Sequence, residues 1–97
     1  MRLLGLDPGL RNTGWGVIEV EGSRLIHVAH GTVTSDGSQE LSVRLTQLYE
    51  GVTGVIQTWS PATAAIEETF MNRNPGSALK LGQARGVVML APARLGL

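Results

Sequence analysis

Between Gln39 and Ser60 one set of apolar residues, Leu41, Leu45, Leu48, Val52, Val55 and Trp59, falls in steps of 4, 3, 4, 3 and 4. That is one continuous helical stripe. Gly51 and Gly54 weaken the helix without interrupting it. Everything before the stripe reads at a strand period: Arg2 to Asp7, Gly14 to Glu21 and Arg24 to Val33, separated by Pro8-Gly9 and by the turn Glu21-Gly22-Ser23. After Ser60-Pro61 stops the helix, Thr63 to Glu67 forms a short apolar run, and Ser77 is the expected cap of a second helix reaching Ala91 before Pro92. A helix between an early and a late strand implies a crossover, which joins parallel neighbours in a right-handed sense. The expected fold class is therefore α/β: a mixed sheet with antiparallel strands 1–3, a parallel strand 4, and helices.

That topology has a chemical consequence. Leu3-Leu4-Gly5-Leu6 runs into Asp7, and Ala64-Ala65-Ile66 runs into Glu67. If the two runs are neighbouring parallel strands, acids 60 positions apart arrive at one sheet edge. Adjacent carboxylates at the end of an apolar strand are costly unless a cation sits with them, and hard oxygen donors suit a divalent metal and phosphate chemistry. A simpler role stays open for Asp7, since aspartate before Pro-Gly also starts turns. Glu67 and Glu68 are consecutive and face opposite sides of a strand, so only one of them can enter a shared site.

Composition excludes several classes. With 97 residues and no cysteine, the chain is expected to form a single domain, residues 1–97, with no disulfide framework or thiolate metal site. No apolar run approaches the ~20 residues that span a bilayer, and the N-terminus enters a strand pattern directly. The expectation is a cytoplasmic protein with no membrane partner. The net charge is zero but uneven. Residues 1–68 hold all eight acids against four arginines, whereas Arg73, Lys80, Arg85 and Arg94 follow with no acid among them. Such a basic stretch fits either a polyanion or a solvated helix face.

His27 and His30 lie three apart in a strand pattern, which places them on opposite faces and argues against a shared metal. Trp15 and Trp59 are expected in the core.

Two motifs resemble the RuvC family of Holliday-junction resolvases, members of the ribonuclease-H-like superfamily. The first is Leu4-Gly5-Leu6-Asp7-Pro8-Gly9 followed by Thr13-Gly14-Trp15-Gly16-Val17-Ile18. The second and more specific is Ala65-Ile66-Glu67-Glu68-Thr69-Phe70-Met71, continuing from Ser77-Ala78-Leu79-Lys80-Leu81-Gly82-Gln83-Ala84-Arg85-Gly86 to Val87. The resemblance implies a ribonuclease-H-like sheet and metal-dependent phosphodiester hydrolysis in recombination and repair. It implies that Asp7 and Glu67 are catalytic and bind magnesium, with two ions in a complete site and manganese as a substitute. It implies a base-stacking role for Phe70 and a homodimer contact on the second helix, where Gly82 and Gly86 share a face. Arg73, Asn74, Lys80 and Arg85 are the accompanying DNA-binding candidates. The implied partners are four-way junction DNA, a second copy of the chain and a branch-migration helicase complex.

The family completes its metal site with two further carboxylates on a later helix, and here no acid follows Glu68. The chain is accordingly expected to be the N-terminal part of such a domain, truncated before the fifth strand and inactive by itself. Two other readings stand beside this one. One is a non-catalytic DNA-binding or dimerisation fragment; the other is an actin-like nucleotide-binding fold, in which an Asp-x-Gly turn also serves phosphates.

Overall fold

The computed structural model describes residues 1–68 and 74–97. Strands β1 (Arg2–Asp7), β2 (Asn12–Glu21) and β3 (Arg24–Thr34) make the antiparallel meander, and helix α1 (Leu41–Trp59) crosses over. Strand β4 (Thr63–Ile66) then returns parallel to β1, and helix α2 (Pro75–Arg94) follows. The sheet order is β3-β2-β1-β4, the mixed sheet that the crossover demands.

Side-chain alternation divides the sheet into two faces. Leu4, Leu6 and Val17 point to one face and are buried against Val52 and Ile56 of α1 and Val88 and Ala91 of α2. Burying each of these leucine, valine and isoleucine side chains stabilises the fold by ~1.5–3 kcal/mol, which is what holds both helices on this side. Trp15 and Trp59, expected in the core, are half-buried and pack against this cluster from its margin. The helical stripe is centred on Leu48, Val52 and Ile56, with Val55 and Trp59 at its flank. Gly51 explains its own presence there: a Cβ at this position would lie 2.3 Å from Val33 Cγ1, so the glycine is what lets α1 settle onto β3.

The ends of the elements are fixed by hydrogen bonds. Ser60 adopts a left-handed conformation at the end of α1 (φ 48°), donating its N–H to Ile56, while Arg2 Nη1 donates to the Trp59 carbonyl at 2.7 Å. A cation on these last carbonyls also suits the helix dipole. The second helix departs from expectation at both ends. Its cap is Asn74 rather than Ser77: Asn74 Oδ1 accepts the N–H groups of Gly76 and Ser77 at 2.9 and 3.2 Å, with Pro75 at the first helical position, where its missing N–H costs nothing. The helix also continues past Pro92, which is buried, to Arg94.

Strand β3 holds a bulge. Ala29 pairs with Val17 and His27 with Ile18, so Val28 has no partner of its own and the alternation slips by one. His27 and His30 therefore share a face, contrary to the expectation from their spacing, with His27 Nε2 2.9 Å from His30 Nδ1. No helix among the described residues is long and apolar enough to cross a membrane.

Candidate active site

The parallel ladder runs Leu3↔Thr63 to Leu6↔Ile66, and the Glu67 N–H donates to the Leu6 carbonyl at 2.8 Å. Asp7 and Glu67 are the next residues in that register, so they leave the C-terminal ends of β1 and β4 side by side. Both are exposed. Among the described residues neither carboxylate accepts a hydrogen bond or pairs with a cation, in contrast to Glu19, which takes Met1 and Arg2 at 3.4 and 3.5 Å. Two free oxygen-donor groups that repel one another fit a hard divalent cation placed between them. No group of three or more His, Cys, Asp or Glu side chains that could hold a metal ion occurs among the described residues. Glu68 is exposed and outside the strand.

The carboxylates border a cavity of about 560 Å³ whose lining includes Gly5, Gly14, Gly16 and Ala65. By register Gly5 faces Gly16 and Asp7 faces Gly14, so the sheet surface beside the acids is nearly bare of side chains. A Cβ on Gly16 would meet nothing within 4 Å, and one on Gly14 only Asp7 Cβ at 3.7 Å. Internal packing does not require glycine at Gly16. The bare surface is available to a bulky ligand approaching Asp7.

The turn after Asp7 is held by Thr13, the first residue of the second part of the first sequence motif. Thr13 is fully buried; its hydroxyl donates to the Gly9 carbonyl at 2.8 Å and accepts the Gly9 N–H at 3.3 Å. Gly9 is needed for close approach, because a Cβ there would stand 2.4 Å from the Asn12 carbonyl oxygen. Thr13 is the second residue of β2, four positions after Gly9, and its burial appears only once that strand is in place.

The remaining candidates are dispersed. Phe70 and Arg73 lie outside the described residues. Asn74 carries the α2 cap, a structural role that its Oδ1 fills. Lys80 is exposed on α2, and Arg85 is half-buried, with Nη1 3.0 Å from Met89 Sδ. Leu79, Met89 and Leu90 are exposed on the same helix, and a Cβ at Gly82 or Gly86 would meet nothing.

Comparison with known proteins identifies the family. The family described as Crossover junction endodeoxyribonuclease RuvC matches residues 3–97. Curated relatives include the Crossover junction endodeoxyribonuclease RuvC of Rhodospirillum rubrum, 65% identical over all of this chain and 57% of its own length. That of Paramagnetospirillum magneticum is 61% identical over all of this chain and 58% of its own. The chain thus spans a little over half the length of these relatives. Among solved structures, Thermus thermophilus RuvC in complex with Holliday junction substrate superposes with a TM-score of 0.89 at 28% identity, over all of this chain and 62% of that one. The Thermus thermophilus RuvC structure gives 0.85 at 29% identity, over all of this chain and 60% of that one. An Aquifex aeolicus PPX-GPPA enzyme, at 12% identity and a TM-score of 0.61 over all of this chain and 34% of its own, shares the fold alone. By the family match and by the ribonuclease-H-like sheet that seats its two carboxylates, the chain belongs to the RuvC family.

Proposed function

We propose that residues 1–97 supply two carboxylates, Asp7 and Glu67, to a metal-dependent nuclease site for four-way junction DNA. The lateral pairing of these residues at the ends of β1 and β4 carries this reading, and the Holliday junction substrate bound by the Thermus relative supports the choice of DNA. Asp7 and Glu67 would hold magnesium, or manganese in its place, through carboxylate oxygens. When bound, such an ion neutralises charge at a phosphodiester and activates water; two ions are expected in a complete site. The bare surface at Gly14 and Gly16 lets a DNA strand come close to Asp7. Lys80 and Arg85, with Asn74 and with Phe70 and Arg73 outside the described residues, are proposed DNA contacts. The exposed Leu79, Gly82, Gly86 and Met89 face of α2 is proposed to pair with a second copy, and a cytoplasmic setting and a branch-migration helicase partner belong to the same reading.

Two carboxylates give too few ligands for a two-metal site, so the chain by itself is expected to bind junction DNA and cut it little. A cleavage assay on a synthetic four-way junction with magnesium, run beside a gel-shift assay, tests this. Binding with little nicking is the expected result. Robust, Asp7-dependent nicking overturns the incomplete-site reading, and loss of both binding and cutting overturns the DNA reading.

A further inference from the structure

On the helix side of the sheet, at the same end as Asp7, lies a second cavity of about 270 Å³ lined by Leu10, Arg11, Arg44, Ser77, Lys80 and Leu81. Three cations reach it from three elements: the β1–β2 loop, the start of α1 and the start of α2. Among the described residues none of the three forms an ion pair; the recorded pairs both belong to Glu19. Asp36 feels the charge of Arg44, but its carboxylate is already engaged by the Ser38 N–H and hydroxyl at 2.9 and 2.7 Å.

Arg44 is held in place. Its Nε donates to Ser35 Oγ at 3.0 Å; the Ser35 hydroxyl in turn donates to the Leu10 carbonyl at 2.6 Å, and the Ser35 N–H to the Arg11 carbonyl at 3.0 Å. Ser35 is 4% exposed, so this chain of bonds ties α1 to the loop that carries Arg11. Among the described residues the terminal guanidinium nitrogens of Arg44 make no hydrogen bond, and neither do the side chains of Arg11 and Lys80. Three positive charges gathered around one cavity repel each other unless an anion joins them, and guanidinium groups favour phosphate oxygens.

We infer that Arg11, Arg44 and Lys80 form a seat for a backbone phosphate of a DNA strand whose neighbouring phosphates pass Asp7. This rests on the DNA reading above and adds Arg11 and Arg44 to it. Arg11 is four positions beyond Asp7 in the chain, a reach of at most ~14 Å, which a strand of a few nucleotides spans. One strand can therefore touch both places. The contact is to phosphate and carries no sequence preference.

The test measures binding of the 97-residue chain to a labelled four-way junction by fluorescence anisotropy across a salt series. Arg11→Gln and Lys80→Gln should each reduce the slope of log affinity against log salt by about 0.9 and weaken binding several-fold at low salt, equally for unrelated DNA sequences. Arg24→Gln, at the far end of β3, is the control and should leave the slope alone. Unchanged slopes in Arg11→Gln and Lys80→Gln, with wild-type binding intact, overturn the inference. Inorganic phosphate titrated alone, followed by the amide resonances of Arg11 and Ser77, separates the sources. If phosphate shifts those amides while junction DNA does not bind, the cavity takes free phosphate and the strand assignment falls. Failure of the wider reading shows separately, as absence of manganese broadening around Asp7.

Discussion

The backbone N–H of Glu67 is 2.8 Å from the carbonyl oxygen of Leu6, and this ladder bond fixes the second carboxylate beside the first. Because parallel strands keep their ends level, Asp7 and Glu67 emerge from β1 and β4 as lateral neighbours. The site is thus an outcome of backbone pairing, and it depends on the register of β4.

Manganese binding should therefore require both acids. Paramagnetic broadening in the 97-residue chain is expected at Asp7, Gly14 and Glu67 and should be lost in Asp7→Asn and in Glu67→Gln, each of which removes a charge and keeps the shape. Junction affinity should change less than about twofold, since contacts of Lys and Arg side chains with phosphates dominate it. Equal loss of ion and DNA binding would instead assign these residues a folding role.

Thr13→Val should destabilise the chain by about 1–3 kcal/mol, because it removes a buried hydroxyl and strands the Gly9 carbonyl and N–H. For a domain of this size that lowers the melting temperature by roughly 4–8 °C per kcal/mol. Thr13→Ser keeps the hydroxyl and should recover most of the loss in a thermal melt monitored by circular dichroism.

Gly51→Ala and Gly54→Ala should act in opposite directions. Alanine at Gly54 meets nothing within 4 Å and should stabilise α1 by up to ~1 kcal/mol through helix propensity. At Gly51 the same gain is opposed by overpacking against Val33, which costs about 1–3 kcal/mol. Denaturant midpoints of the two variants should fall on opposite sides of the wild type; coincident midpoints would show that Val33 moves aside freely.

Asp36 should titrate below the ordinary aspartate value of 3.8, held down by the hydroxyl and then the N–H of Ser38, with Arg44 nearby. A carboxyl whose folded-state pKa is lowered adds stability above its unfolded value and loses it as pH falls through the folded value, so the effect is confined to pH below about 4. An NMR titration of Ser38→Ala should move the Asp36 midpoint up toward 3.8; an unchanged midpoint would remove Ser38 as the cause.

The sequence alone determined the sheet. Apolar runs at strand period, one helical stripe from Leu41 to Trp59 and the punctuation at Pro8-Gly9 and Ser60-Pro61 are local signals, and a crossover between Leu6 and Ile66 leaves parallel pairing as the short solution. The pairing of Asp7 with Glu67 follows from those signals, so this much of the candidate site was legible too. Some of what was missed was local as well: Asn74-Pro75 is a helix start in its own right, and it displaced Ser77 as the cap. Other features had no local signal. The bulge at Val28 reverses the facing of His27 and His30 because strand alternation holds only while pairing is regular. Gly51 looks like a weak point in a helix until Val33 comes against it. Arg11, Arg44 and Lys80 lie more than thirty positions apart in the chain, so their convergence on one cavity depends on how α1, α2 and the β1–β2 loop pack around the core, and only the tertiary structure decided it.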